Sequence, residues 1–214
     1  MTSRSPATRV RMPRAEREAQ MLEVAEGVFS ERGVQATTMD EIAERVGVTK
    51  PLIYDYFGSK EGLLAATIER ARGQLLAALI DAWEGAAGAP VRERVTGVVH
   101  AFFAFIDAHE AAFALLRTEG ALIGEASDSV ERIRQQTAKA FAEGLLSLPE
   151  FAAQAPTRVT AMAEVLIGGC ERLAVWRSTH PGGMDADEAT GIVVTSFWDG
   201  LASVGAGARA ATAP

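Results

Sequence analysis

The chain has 214 residues, 48% of them hydrophobic, and a formal net charge of -7 at pH 7. This length and composition allow one large or two small domains with a real core, which excludes a small scaffold that depends on disulfides. The single cysteine, Cys170, excludes a disulfide framework within the chain and a cysteine-rich zinc site, so a reducing cytoplasm is the expected compartment.

The N-terminal end of the chain is basic. Residues 1–22 hold five arginines against two glutamates, so the acidic net charge leaves room for a local surface that binds phosphates. Residues 1–13 lack helical periodicity, which predicts a flexible basic arm, either unstructured or reaching a DNA groove. No apolar signal region follows and no window holds about 18 uninterrupted apolar residues, so we expect a cytoplasmic protein with no membrane partner.

A first amphipathic helix is predicted to begin at Arg14. Met21, Leu22 and Phe29 recur at helical spacing and predict its buried face. Gly33 is predicted to end it as a left-handed C-cap. This helix would support the segment that follows.

Two short helices joined by a glycine turn are predicted next. Thr38 opens the first, with Glu41 three residues later as in a capping box, and Gly47 permits a sharp turn. Thr49 opens the second, where Pro51 in the first turn gives up no hydrogen bond because its amide would be unpaired in any case. Two helices of this size around a glycine turn are typical of a helix-turn-helix.

The outer face of the second short helix carries groups that suit DNA. Ile53 and Phe57, four residues apart, are predicted to fill its inner face. The remaining side chains supply hydroxyls, an ammonium group and apolar rings, which can bind phosphate oxygens, base edges and thymine methyl groups. These outward residues are Thr49, Lys50, Pro51, Leu52, Tyr54 and Tyr56.

The stretch GVTKPLIYDYFGSKEGLL at residues 47–64 resembles the signature of the tetracycline-repressor-like (TetR) family of bacterial transcription regulators. The segments TTMDEIA at 37–43 and FSERG at 29–33 are similar to that family as well. The resemblance extends over residues 14–64. Phosphate contacts are implied for Thr38, Thr49 and Lys60, which stand at helix starts, and contacts to DNA backbone or bases for Tyr54 and Tyr56.

The first turn of the second short helix would, by the same resemblance, face base edges through Lys50, Pro51 and Leu52. Two residues depart from the usual pattern of the family. Pro51 stands where a small residue is common, and it removes an amide. Asp55 stands where neutral or basic residues are common, and its carboxylate would repel phosphates unless it points away or accepts a hydrogen bond from a cytosine amine. Both departures concern the operator sequence.

The rest of the chain is also predicted to be helical. A long helix from Ser59 leads to the linker GAAGAP at 85–90, and further helices are predicted over 91–108, 112–119, 127–147, 157–179 and 186–205. We predict an all-α chain of about nine helices: a basic arm at 1–13, a three-helix helix-turn-helix domain that binds DNA at 14–58, a helical bundle for ligand sensing and dimerisation at 59–207, and a tail at 208–214.

The helix predicted over 91–108 is unusually aromatic. Its phenylalanines and Phe113 are too many for one narrow stripe, which leaves open either burial on all sides in a bundle or the lining of an apolar cavity for a small molecule. His100 and His109 are nine residues apart, which excludes a zinc site on one helix face. The candidate pocket residues are Trp83, His100, Phe102, Phe103, Phe105, Phe113, Arg117 and Trp176.

The last two predicted helices are strongly apolar for the end of a chain. Gly168 and Gly169 inside the first cost about 1 kcal/mol each relative to alanine, which close backbone packing would offset. These helices belong either to the core of one chain or, as the family resemblance implies, to the symmetric four-helix interface of a homodimer. The candidate interface residues are Leu166, Gly169, Cys170, Leu173, Val194, Phe197, Trp198 and Leu201.

The sequence holds no phosphate-binding glycine loop, no G-x-S-x-G elbow and no metal cluster, so we expect neither an enzyme nor a cofactor. The predicted function is a ligand-responsive transcription regulator, a repressor that binds a palindromic operator in double-stranded DNA as a homodimer and is released by a largely apolar small molecule. The alternative is a helical ligand-binding or interaction protein with a weak or inactive DNA reader. Asp55, the acidic net charge and the presence of only two lysines in the motif favour that alternative.

Overall fold

The computed structural model describes residues 12–111, 113, 125–180 and 182–210, and it describes side chains in 12–111, 113, 134–180 and 182–198. These residues form eight α-helices and no strand, which confirms the all-α prediction. Of the helix predicted over 112–119, only Phe113 lies among them. The helices are α1 (Arg14–Arg32), α2 (Met39–Val46), α3 (Lys50–Phe57), α4 (Lys60–Gly85), α5 (Val91–Ala108), α6 (Glu125–Leu146), α7 (Pro156–Ser178) and α8 (Ala186–Ala210).

The chain divides into two compact units, Met1–Arg70 (unit 1) and Ala71–Pro214 (unit 2). The division falls inside the continuous helix α4, twelve residues beyond the end predicted for the DNA-binding domain. Leu63, Leu64 and Ile68, in the first turns of α4, are buried and belong to unit 1. The start of α4 therefore completes the core of unit 1.

Unit 1 has an apolar core built from one face of each helix. On α1 the buried residues recur at helical spacing, from Met21 to Phe29, and on α2 Ile42 is fully buried. Ile53 is the buried residue of α3, whereas Phe57, predicted to be inward, is half-buried. Burial of apolar surface at this spacing supplies the main stabilisation of such small helices, because they are too short to be stable alone.

Two glycines end the first two helices in different ways. Gly47 after α2 has φ 76° and ψ 34°, the left-handed conformation, and its amide donates to the carbonyls of Ala43 and Glu44. Gly33 after α1 also has a positive φ, 76°, but its ψ of 155° lies outside the left-handed helical region, so the predicted left-handed cap is wrong in detail. This positive φ is one that residues with a Cβ rarely adopt, which favours glycine at this position.

Unit 2 is a helical bundle in which α5 packs mainly against α8 and α6 mainly against α7. The predicted bounds of α5 agree with the structure, and those of α6, α7 and the start of α8 agree within two residues. Fifteen residues form one buried apolar cluster. They are Val91, Val95, Val99, Phe103, Ala138, Ala142, Leu145, Val159, Ala163, Leu166, Cys170, Ala174, Ala189, Val193 and Val194.

Candidate nucleic-acid interface

Helices α2 and α3 form a helix-turn-helix whose two starts are built differently. Thr38 is the N-cap of α2, and its hydroxyl accepts a hydrogen bond from the amide of Glu41 at 3.2 Å. The Glu41 carboxylate pairs with Arg45 and Arg32 at 3.1 and 3.3 Å, so only half of the predicted capping box forms. Thr49 is the N-cap residue of α3 but makes no capping bond through its side chain, which leaves that hydroxyl available to a partner.

The predicted contact residues lie together on the outer side of this motif. Thr49, Pro51 and Tyr54 are exposed, Tyr54 to 41%, while Leu52 and Tyr56 are half-buried. All five stand on or directly before α3. Pro51, two residues before the fully buried Ile53, lies on the far side of the helix, whereas Tyr56, three residues after it, lies nearer the buried side. A phenol, a hydroxyl and a proline ring at the start and outer side of one short helix are groups that can bond phosphates and touch base edges.

The lysines of the motif are held by other groups of the same chain. The Lys50 ammonium lies 2.8 Å from a carboxylate oxygen of Asp40 in the first turn of α2, and this hydrogen bond raises the pKa of Lys50 above its usual value. The Lys60 ammonium donates to the backbone carbonyl of Gln35 at 3.2 Å. Both ammonium groups sit at helix starts, close to where phosphates would be bound.

Asp55, a departure from the usual family pattern on α3, has a cationic partner on α1. The guanidinium of Arg14, at the start of α1, lies 3.9 Å from the Asp55 carboxylate and 4.4 Å from the centre of the Tyr56 ring. The Asp55 carboxylate thus carries a cation of its own, although both side chains remain largely exposed. Arg14 thus partly balances the charge of Asp55 within the chain itself.

A network of ion pairs joins α1 to α2 beside the motif. Arg45 bonds Glu31 at 2.8 Å and Glu41 at 3.1 Å, and Arg32 bonds Glu41 at 3.3 Å. The hydrogen bond that Arg45 donates to the Glu31 carboxylate is the largest cause of the raised pKa of Arg45. Exposed pairs of this kind contribute little to stability one by one, but a connected set restrains the helix angle.

Asp40 and Arg14 contact the predicted DNA-binding residues in a way that the sequence pattern alone does not indicate. Asp40 stands ten residues before Lys50, and Arg14 is more than forty residues before Tyr56, so neither spacing signals a contact. The only available signal for Asp40 is that first turns of adjacent helices in a helix-turn-helix converge on one side. Both contacts depend on the packing angle between helices, which residue spacing does not encode.

The residues predicted to form a ligand pocket lie in different surroundings. Phe103 and Phe105 are buried, and Phe103 lies completely within the core of unit 2. His100 is exposed and pairs with Asp187 at 3.1 Å. Trp176 is exposed and stacks on His180. These four residues therefore do not line one common cavity in the structure, and a pocket that contains them stays a prediction. Apolar side chains around all of α5 pack into the bundle on several sides, and Arg117 lies outside the described residues.

Trp83, Phe102 and Phe113 are partly buried against the core. Trp83 is packed tightly: the Arg94 guanidinium lies 3.9 Å from its ring centre, and a Cβ added at Gly144 would come within 3.1 Å of the ring. An open cavity of about 580 Å³ lies between α5 and α8, but His100 is the one predicted pocket residue that lines it, and Arg92, Glu93 and Asp187 add charged groups to its wall.

The predicted interface residues are also divided. Leu166, Cys170 and Val194 are buried within the single chain and expose almost no surface to a second copy, so their place at an interface stays a prediction. Gly169 is exposed, whereas Leu173, Phe197 and Trp198 are partly buried. The side chain of Leu201 lies outside the described set.

Large apolar side chains are nevertheless exposed on the last two helices. Val165 and Trp176 on α7 are 69% and 39% exposed, and Ile192 on α8 is 44% exposed. A Cβ added at Gly168 or Gly169 would meet none of the described residues within 4 Å. Those residues therefore do not supply the close packing expected around these glycines.

The described parts of the chain contain neither a metal-ligand cluster nor a membrane-spanning helix, and the one thiol is buried. Those parts contain no group of three or more His, Cys, Asp or Glu side chains that could hold a metal ion. None of the helices there is long and apolar enough to cross a membrane. The one thiol, Cys170, is buried, and burial raises its pKa to about 12.

Comparison with known families gives two matches that together cover most of the chain. Residues 21–67 match the family described as bacterial regulatory proteins, tetR family. Residues 91–200 match a tetracyclin repressor-like C-terminal domain. The first match includes α2 and α3 entirely.

Individual relatives agree with these matches. The chain is 41% identical over 97 residues to the HTH-type transcriptional activator FasR of Mycolicibacterium smegmatis, covering 45% of this chain and 43% of FasR. It is 32% identical over 103 residues to the HTH-type transcriptional repressor KstR2 of Mycobacterium tuberculosis, covering 48% of this chain and 50% of KstR2. The alignments thus span about half the length of these curated relatives or less.

The fold is shared along nearly the whole chain. A crystal structure of a TetR-like transcriptional regulator from Rhodococcus sp. RHA1 is 33% identical, with a TM-score of 0.66, over 90% of this chain and 99% of that one. A tetR-family transcriptional regulator from Streptomyces coelicolor is 26% identical, with a TM-score of 0.70, over 87% of this chain and 80% of that one.

Proposed function

This chain belongs to the TetR family of bacterial regulatory proteins, and from that membership we propose that it is a ligand-responsive repressor that binds a palindromic operator as a homodimer. Members of the family are DNA-binding regulators rather than enzymes. The observation that carries the proposal is the outer surface of α3, where Thr49, Pro51 and Tyr54 are exposed around a buried Ile53. A helix so anchored can enter a major groove without losing its core contact.

In this proposal the contacts divide by their position on the motif. Thr38, Thr49 and Lys60 bond phosphates and set the register, because they stand at helix starts where backbone amides also point outward. Lys50, Pro51 and Leu52 meet base edges from the first turn of α3. Tyr54 and Tyr56 extend the contact along the same side.

The homodimer is supported by the exposed apolar residues of α7 and α8. Val165 and Ile192 are large apolar side chains open to solvent, and Gly168 and Gly169 leave room for another backbone to approach. Large apolar side chains that are exposed together on a protein surface often mark an interface with another chain. Two DNA-binding helices in a symmetric dimer would then meet half-sites about one helical turn apart, which requires a palindrome.

Release by a small molecule is proposed for unit 2. Trp83, Phe102 and Phe113 are partly buried aromatic side chains at the edge of its core, where a largely apolar effector could be accommodated after local rearrangement. An effector that binds one conformation of the dimer more tightly by about 3 kcal/mol can change operator occupancy by two orders of magnitude. Repression needs only an operator that overlaps a promoter, and the DNA target places the protein in the bacterial cytoplasm.

A gel-shift experiment tests this function. The probes are duplexes from the region around the gene and a duplex selected from random sequence, titrated with salt. Binding that weakens steeply with salt is expected, with Lys50→Ala and Tyr54→Phe weakening it about tenfold and leaving the melting temperature nearly unchanged. Absent or salt-insensitive binding would contradict a DNA-binding regulator.

The alternative, a helical ligand-binding protein with an inactive DNA reader, is favoured by one observation. Lys50 and Arg14 are both engaged by carboxylates of the same chain, Asp40 and Asp55. The same titration decides between the two functions. If no duplex is bound while unit 2 still binds apolar small molecules, the alternative holds.

A further inference from the structure

A carboxylate of the protein itself bonds the lysine in the first turn of α3. Asp40 and Lys50 each lie in the first turn of a helix, α2 and α3, and their charged groups are 2.8 Å apart. Their side chains are exposed to 72% and 42%, so both can be reached by a third charged group. A DNA phosphate approaching these helix starts would meet Lys50 already bonded.

We propose that Asp40 is an affinity-setting residue: its carboxylate occupies Lys50 in the free protein and must be displaced when Lys50 moves to a phosphate or base edge. This inference rests on the proposed DNA-binding function. The hydrogen bond to Asp40 also raises the pKa of Lys50 above its usual value, so Lys50 keeps its charge at neutral pH.

The displaced carboxylate has two consequences for binding. Breaking the Asp40–Lys50 bond costs part of the binding free energy that the Lys50–DNA contact gains. Asp40 is then left as a negative charge beside the DNA backbone. A cation must then associate with Asp40, which offsets the counterion that Lys50 releases from the DNA. The affinity for DNA therefore falls less steeply with salt concentration than the number of cationic contacts would predict.

The chain offers a matched control in Glu44. It lies four residues after Asp40 on α2, is exposed, and carries the same charge, and in the described structure it has no ion pair with a lysine or arginine. Glu44→Gln removes one negative charge without touching Lys50. Asp40→Asn removes one charge and frees Lys50, and both variants preserve side-chain size.

The experiment measures affinity and its salt dependence for two probes, a mixed-sequence duplex and a duplex selected by the wild-type protein or, if it selects none, by Asp40→Asn. Asp40→Asn is expected to raise affinity on the order of fivefold and to steepen the salt slope by up to about 0.9. In a Lys50→Ala background the same substitution has little effect. Glu44→Gln shows the same small effect in both backgrounds, and Asp40→Glu, which restores the charge, returns affinity toward that of the wild type.

The outcomes separate this inference from the function it rests on. If the wild-type protein binds DNA and Asp40→Asn behaves like Glu44→Gln, the inference is overturned and the function stands. If the wild-type protein does not bind but Asp40→Asn does, through Lys50, the inference holds and the inactive state is explained. If no variant binds either probe while all variants melt like the wild type, both are overturned.

Discussion

Thr38 and Thr49 show how two similar residues at the starts of adjacent helices differ in energetic role. The Thr38 hydroxyl accepts a hydrogen bond from the amide of Glu41, whereas the Thr49 side chain makes no capping hydrogen bond. Thr38→Ala is expected to lower the free energy of unfolding by about 1 kcal/mol, and Thr49→Ala by less than about 0.5 kcal/mol. Denaturant titration of the two variants measures this difference. Equal losses would show that the Thr38 cap contributes no net stability.

Cys170 provides a second test on one side chain. Burial raises the pKa of its thiol from 9.0 to about 12, so in the folded protein the thiol stays protonated at neutral pH and reacts slowly with thiol reagents. The unfolded chain ionises nearer pH 9.0, and stability from this group is therefore lost as the pH rises from that value towards 12. We expect labelling by a disulfide reagent to follow the rate of unfolding. Fast labelling under native conditions would contradict the burial of Cys170.

At the scale of elements, the turn between α3 and α4 depends on Gly62. A Cβ at this position would overlap the carbonyl oxygen of Phe57, a backbone atom that cannot move without opening the turn. Gly62→Ala is therefore expected to cost about 2 kcal/mol or more. Gly73, later in α4, has no positive φ and has open space where a Cβ would stand, so Gly73→Ala should stabilise by up to about 1 kcal/mol. Thermal melting of both variants checks the opposite signs.

The elements themselves could largely be predicted from the sequence. The start of α5 follows Pro90, and the turn after α2 requires the positive φ of Gly47, both of which leave local signals. Which aromatic side chains of α5 are buried could not be predicted, because a helix that is apolar on all sides has no periodicity that selects one face. Phe103 is in the core and Phe102 at its edge, a difference set by the neighbouring helices.

The candidate site could be predicted less completely than the fold. The outward position of Tyr54 follows from the buried Ile53 one residue earlier, which is a local relation along one helix. The partners of Lys50 and Asp55 depend on α2 and α1, whose packing angles are tertiary. Charges therefore have to be placed in space before their effect on DNA binding can be judged.

At the scale of the whole molecule, the apolar exposure of α7 and α8 predicts the state of assembly. Val165→Glu places a charge at a 69% exposed position, so the fold of one chain is expected to survive while a dimer through this surface does not. Sedimentation should show the variant as a monomer at concentrations where the wild type is a dimer, with operator affinity reduced at least about tenfold by loss of the second half-site.

Ile80→Glu is the control for that substitution. Ile80 is a similarly large apolar residue exposed on α4, away from α7 and α8 in sequence, and the variant is expected to remain a dimer. If both variants dissociate, the interface is wider than α7 and α8. A wild-type protein that sediments as a monomer would contradict the homodimer itself.

The tyrosines and tryptophans of the chain are distributed unequally between the two units. Both tyrosines of the chain, Tyr54 and Tyr56, lie on α3, and all three tryptophans, Trp83, Trp176 and Trp198, lie in unit 2. The molecule thus contains its own spectroscopic labels. Under the proposed function, tryptophan emission would follow a small molecule that binds unit 2, and fluorotyrosine incorporated in place of tyrosine would give two resonances, both from α3. Effector binding and DNA binding could then be observed separately without engineered dyes.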